Sequence, residues 1–221
     1  MRTIALGNLK GGSGKTTACI GLAGALIELG DSVAVIDADD QQSATRWKPE
    51  GVLVITAEDA RSARAVKMTL NELESKCFDF ALIDLPPELA DATMVGVMLC
   101  DLVLVPVRPS GLDFWATGDI VSTIEDARAV RGDGLPTYAF IPSQLTRNRL
   151  SRELAAKLEQ AGETVAPGIG LRTDFAEASI AHVTPTSYAP RSRAADELRA
   201  LAAFVKSHET IKRYYGKSVK T

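Results

Sequence analysis

The run Leu9-Lys10-Gly11-Gly12-Ser13-Gly14-Lys15-Thr16-Thr17 decides how the rest of the chain is read. It follows a short apolar stretch, Thr3 to Gly7, and opens a segment, Lys15 to Leu29, whose apolar residues recur near a 3.6-residue period. A glycine-rich turn between a strand and a helix is what a phosphate cradle requires. Glycines curl the backbone through positive φ and turn successive N–H groups inward, while the helix N-terminus adds partial positive charge. Gly11, Gly12, Ser13, Gly14, Lys15, Thr16 and Thr17 form the expected binding run. Lys15 reaches the β- and γ-phosphates, and the Thr16 hydroxyl serves Mg²⁺. A dinucleotide fingerprint is excluded, because its third glycine would fall on Thr17. The pattern G-x-x-x-x-G-K-[ST] is met except at its first glycine, where Leu9 stands, and a second lysine, Lys10, follows it.

Outward from the loop, Val-, Ile- and Leu-rich runs alternate with helical patterns. The runs are Thr3 to Gly7, Ser32 to Ile36, Val52 to Thr56, Phe78 to Ile83, Leu102 to Val107 and Thr137 to Ile141. Each has the continuous apolar character of a strand buried on both faces, as in parallel sheets. Between or after them, Lys15 to Leu29, Glu58 to Ser75, Asp113 to Arg131, Arg147 to Gln160 and Ala194 to Val205 carry helical spacing. Such alternation predicts right-handed βαβ crossovers and an α/β fold: a single-domain, doubly wound, mostly parallel sheet flanked by helices. Residues 1–205 are expected to form this domain, and 206–221 a polar, basic tail.

Two further strands end in carboxylates. Val33 to Ile36 delivers Asp37-Ala38-Asp39 to the strand edge where a parallel sheet places its ligand crevice. If the strand continues, residues two apart point the same way, so one carboxylate can support the metal shell and the other can orient water. The alternative is that such aspartates only cap the next helix. Phe80 to Ile83 ends in Asp84-Leu85-Pro86-Pro87, and Asp84 is placed to reach Mg²⁺ through water.

Lys10 to Thr17, with Asp37, Asp39 and Asp84, resembles the paired-lysine (deviant Walker A) motif of the ParA/MinD family. The likeness is greatest to the short plasmid-type, ParF-like partition proteins, and Pro106 to Asp113 adds to it. It implies ATP and Mg²⁺ as ligands, with Thr16, Asp37 and Asp84 on the metal side and Lys10, Lys15 and Asp39 in catalysis. Lys10 is implied to reach the partner's nucleotide across an ATP-sandwich homodimer, and Pro109 and Asp113 to begin a helix at that interface. Pro142 and Ser143 fall where relatives approach the base. Relatives commonly carry proline after the second aspartate; Asp40 stands there here, an added negative charge beside Asp39. The first strand begins near residue 2, so the helix-turn-helix extension of larger partition ATPases is expected to be missing.

The net charge of −3 gives no global sign of nucleic-acid binding, but its distribution is uneven. Residues 145–221 hold 13 Lys and Arg against 8 Asp and Glu, leaving the rest of the chain at −8. Arg147, Arg149, Arg152, Arg172 and Arg193, with Lys157, Arg191 and Arg199, are the candidates for non-specific contact with nucleoid DNA. A solvated surface is the plain alternative for each. The stripe Phe204, His208, Ile211 and Tyr215 is too thin for stable membrane insertion.

Cys19, Cys77 and Cys100 have no C-x-x-C spacing and suit small core positions in a reducing compartment. No run approaches the roughly 20 apolar residues of a membrane span, so a cytoplasmic protein is expected, and the family resemblance implies that it is nucleoid-associated. Trp47, Trp115, His182 and His208 read as packing or surface residues. The family resemblance leaves open a DNA cargo, or a protein cargo such as a chemoreceptor array or carboxysome. Either would act through a small adaptor partner. A biosynthetic P-loop enzyme would need a substrate domain or cluster cysteines, and neither is visible.

Overall fold

The computed structural model describes residues 1–57, 59–87 and 91–211, and only the backbone of 111–116. Six strands form one sheet: β1 (Arg2–Leu6), β2 (Val33–Asp37), β3 (Leu53–Thr56), β4 (Phe80–Asp84), β5 (Leu102–Val107) and β6 (Thr137–Pro142). Their order is β3-β2-β4-β1-β5-β6, and every pairing is parallel. The helices are α1 (Lys15–Glu28), α2 (Ser43–Trp47), α3 (Ala63–Ser75), α4 (Asp91–Leu99), α5 (Gly111–Arg131), α6 (Arg149–Gln160), α7 (Thr173–Ile180), α8 (Pro185–Tyr188) and α9 (Arg193–Ser207).

Alternation along each strand splits the core in two. Ile4, Leu6, Val33, Val35, Leu82 and Leu104 meet α1, α2, α7 and α9 on one face. Ala5, Ala34, Ile36, Ile83, Val103 and Val105 meet α3, α4, α5 and α6 on the other. Both faces are covered, which is why the strands read as unbroken apolar runs. The α1–α9 contact is close: a Cβ on Gly21 would fall 2.5 Å from Leu198. Arg199–Glu28 at 2.9 Å ties the same helices at their surface, and Lys206–Asp31 at 2.6 Å ties α9 to the turn after α1.

Every predicted strand is present, with no end shifted by more than two residues. Helix α6 starts at Arg149, not Arg147, because the Asn148 side chain accepts from Ser151 N–H at 2.8 Å and caps it. Helix α3 starts at Ala63 behind the Ser62 cap, and Glu58 lies outside the described residues. Helices α2, α4, α7 and α8 were not anticipated. Three of these have eight residues or fewer, and α4 is apolar nearly all round, so none shows a clear 3.6 period. Cys19 and Cys100 are buried, but Cys77 is exposed. It sits at φ 61 just past α3, where the chain turns to enter β4, so the core expectation fails there. The side chains of Asp113 and Trp115, and the tail from Lys212 onward with Tyr215, lie outside the described residues.

Candidate functional site

Strands β1, β2 and β4 end together. Asp84 is the register partner of Leu6 on one side and of Asp37 on the other. The connection from β1 through α1 leads toward β2, whereas that from β4 through α4 leads toward β5, so the order reverses beside β1. A crevice opens at such a reversal, and the glycine-rich turn lies in it.

The turn is shaped by Gly12 at φ 72 and Gly14 at φ 95, conformations that L side chains rarely adopt. Its carbonyls are fastened from outside. Ser143 Oγ donates to Ser13 O at 2.9 Å, and Gln144 Nε2 donates to Gly12 O at 2.6 Å. With two carbonyls committed outward, the intervening amides are free to face a ligand. At the entry, Asn8 is 1% exposed. Its Nδ2 donates to Pro106 O at 2.6 Å and its Oδ1 accepts from Lys10 N–H at 2.9 Å. Asn8, Ser143 and Gln144 thus hold the loop; the run ending in Ser143 and Gln144 was expected near the base and not as a fastening of the loop, and Asn8 was not anticipated at the site.

Lys15 is 7% exposed, and burial lowers its pKa against the opposing pull of Asp84 and Asp39. Its Nζ lies 3.5 Å from Lys10 O, the outer limit of a hydrogen bond. Thr16 Oγ1 donates to Asp84 Oδ2 at 2.6 Å. Asp84 is 1% exposed, and burial pushes its carboxyl up to about 7; Asp37 and Asp39 add to this, while Thr16 and Lys15 oppose it. The second oxygen, Asp84 Oδ1, is buried without a hydrogen-bond partner among the described residues. An orphaned carboxylate oxygen beside a threonine hydroxyl and a second aspartate fits a hard, oxygen-seeking divalent cation such as Mg²⁺.

Asp37 is also buried, but its oxygens are used: Oδ1 accepts from Asp39 N–H at 3.2 Å and Oδ2 from Thr45 N–H at 2.7 Å. The chain therefore turns immediately after β2, and Asp37 and Asp39 do not project in parallel from one extended strand. Asp39 Oδ1 instead accepts from Gln41 N–H at 2.9 Å, while its charge still acts on Lys15. Asp40 is exposed and pairs with Arg61 at 3.2 Å, so the added carboxylate at that position has its own counter-charge.

From Gly14, Thr16 and Thr17 a cavity of about 580 Å³ extends between Ser43, Arg46 and Trp47 of α2, the Ser143–Gln144 corner, residues Ile169 to Arg172, and Phe175 of α7. Its size suits a small ligand, and its walls mix apolar surface with a few polar groups. Pro142 does not line it; this residue ends β6 and its carbonyl accepts from Ile169 N–H at 2.7 Å. Trp47 is more than packing, since its ring borders the cavity while Nε1 donates to Val183 O at 3.0 Å.

The proposed basic set divides. Arg172 lines the cavity and is bound to Glu197, which sets it apart from a surface DNA patch. Arg149 pairs with Glu153, as does Lys157, and Arg199 pairs with Glu28 and Asp196. Arg147, Arg152, Arg191 and Arg193 are exposed and make no ion pair among the described residues.

A phosphate loop of this build at the switch point of a six-stranded parallel sheet defines a P-loop nucleotide-binding protein. The sequence matches the CobQ/CobB/MinD/ParA nucleotide binding domain over residues 4–185, and the chain belongs to that family. It is 30% identical over 209 residues to maintenance of carboxysome distribution protein A of Halothiobacillus neapolitanus, covering 90% of this chain and 94% of that one. To the chromosome-partitioning ATPase Soj of Thermus thermophilus it is 28% identical over 240 residues, covering 91% and 94%. The fold matches the Cyanothece McdA(D38A)–ATP complex with a TM-score of 0.73 at 20% identity, over 98% of this chain and 96% of the other. It also matches the Aquifex aeolicus MinC:MinD complex with a TM-score of 0.76 at 15% identity, over 100% and 98%.

Proposed function

We propose that this chain is a Mg²⁺-dependent ATPase of the partitioning and positioning kind, which dimerises around ATP, binds nucleoid DNA without reading sequence, and hydrolyses ATP when a small adaptor protein stimulates it. The observation that carries the nucleotide chemistry is the Thr16–Asp84 hydrogen bond, with the orphaned Asp84 oxygen beside buried Lys15. Bound Mg²⁺ would neutralise phosphate charge; Thr16 and Asp84 would hold it, and Asp37, whose oxygens already accept two backbone N–H groups, would reach it only through water.

The roles of the chain's own groups follow from chemistry. Amides of Gly11 to Thr17 receive the phosphate oxygens, and Lys15 supplies the fixed cation. Asp39, at the edge of the same crevice, orients the attacking water. Lys10, half-buried at the start of the loop, is the cation lent to the second subunit's phosphates, the logic of an arginine finger supplied in trans. Arg147, Arg152, Arg191 and Arg193, exposed and without carboxylate partners among the described residues, are the groups to contact DNA phosphates.

The cargo in this reading is a plasmid or chromosome, supported by the likeness to Soj. A second reading keeps the same engine for a protein cargo, and it is supported by the 30% identity to a carboxysome-distribution protein. The test is a gel shift on random-sequence DNA with ATP or ADP, combined with phosphate release. ATP-specific binding that collapses between about 50 and 200 mM salt supports the DNA-binding engine. Equal binding with ADP, or none with either nucleotide, counts against it. Tracking labelled plasmid and labelled carboxysome shell in cells lacking the protein separates the two cargoes.

A further inference from the structure

Residues Ile169 to Arg172 form part of the cavity wall beyond the phosphate loop, and their backbone is held in an unusual way. Ile169 N–H donates to Pro142 O at 2.7 Å and Leu171 N–H to Leu145 O at 2.9 Å, so the segment runs alongside the end of β6 in strand fashion. In extended backbone, successive N–H groups point to opposite sides, which turns the Gly170 N–H away from β6. Gly170 is buried, and a buried N–H needs an acceptor.

Glu197 of α9 supplies it from the far end of the chain. Its Oε2 accepts from Gly170 N–H at 3.0 Å and from Arg172 Nε at 3.0 Å, and its Oε1 accepts from Arg172 Nη2. The guanidinium is thereby folded over Gly170, where a Cβ would fall 2.9 Å from Arg172 Cζ. Both side chains of the pair are only about a quarter exposed, at 26% and 23%. A fork of this kind fixes geometry as well as charge. One carboxylate thus sets the position of a backbone strip and of a cationic plane, and both border the cavity.

We propose that Glu197 is a positioning residue for the nucleoside end of the nucleotide, acting through Gly170 and Arg172. The inference rests on the nucleotide reading above. Phosphates occupy the glycine-rich turn, so the base and ribose must lie in the cavity that Trp47, Ile169, Leu171 and Phe175 line, and Glu197 holds that wall without touching the ligand. Removing the carboxylate leaves the Gly170 N–H and the guanidinium unsatisfied at the wall, while the phosphate cradle keeps all its own fastenings.

The prediction is a split between two ligands measured by calorimetry on the full chain: Mg–ADP and Mg–tripolyphosphate. Glu197→Ala is expected to weaken ADP about tenfold and to leave tripolyphosphate within about twofold. Glu197→Gln keeps an acceptor for Gly170 but loses the ion pair and is expected to fall between; it carries the test if the alanine variant does not fold. Equal loss of both ligands, or no loss of ADP, overturns the proposal. A wild-type chain that binds neither ligand overturns the nucleotide reading itself, and this inference with it.

Discussion

Asp37 and Asp84 are register partners at the ends of adjacent strands, yet their carboxylates are in opposite conditions. Both oxygens of Asp37 accept backbone N–H groups, whereas Asp84 has one oxygen on Thr16 and one with no partner among the described residues. Asp37 is consumed in holding the turn into α2, and Asp84 is held in reserve for a ligand. The asymmetry makes their substitutions distinguishable.

Asp84→Asn is expected to stabilise the nucleotide-free protein at pH 8. The Asp84 carboxyl is raised to about 7 in the fold, from an ordinary value of 3.8. The folded state therefore binds the extra proton between these values, so its stability falls as pH rises through that window and stays lowered above it. Asparagine keeps the acceptor for Thr16 and removes this cost, on the order of a few kcal/mol at most. Melting curves from pH 5 to 8 should diverge between variant and wild type, and parallel curves would contradict the assignment. Mg–ADP should stabilise only the wild type.

Lys15→Ala is expected to abolish nucleotide binding while leaving the fold intact, because Lys15 is a buried ammonium whose pKa is lowered by desolvation. Fluorescent-nucleotide affinity and a melting curve together check this; retained affinity would remove the phosphate role.

Lys10→Ala should keep monomeric ADP binding and lose ATP-dependent dimer formation. Its backbone contacts, N–H to Asn8 Oδ1 and carbonyl toward Lys15, do not need the side chain. Light scattering with ATP is the measurement, and a dimer equal to the wild type's would end the trans-cation role.

Asp39→Asn should bind ATP and trap the dimer, with turnover reduced about a hundredfold or more. The amide oxygen can still accept from Gln41 N–H, so the turn survives and the loss is chemical. Normal phosphate release would assign the water to another group.

Arg147→Ala with Arg152→Ala should lower the salt slope of DNA binding by about two, whereas Arg149→Ala should change it little. The difference follows from the Glu153 partner that Arg149 already has. Gel shifts across a salt series decide it, and a strong effect of Arg149 alone would shift the patch to the first turn of α6.

The phosphate loop and Asp84 were legible in the sequence because their chemistry is local: a run of glycines before a lysine, and a buried strand that stops on an acid. The sheet was legible because strands buried on both faces cannot hide their apolar character. What could not be seen were contacts that only the closed fold makes. Asn8 looks like the polar end of an apolar run until Pro106, 98 positions away, is laid beside it. Arg172 looks like one more surface cation until α9 brings Glu197 to it. Asp37 and Asp39 were expected to project side by side, but the turn into α2 uses both as acceptors and rotates them apart. That short helix left no periodic trace.

The outward fastening of the Ser13 and Gly12 carbonyls comes from residues 130 and 132 positions later. During synthesis, the glycine turn leaves the ribosome long before the corner that shapes it exists. On the nucleotide reading proposed above, a nascent or truncated chain lacking that corner would carry the motif without the contacts that shape it.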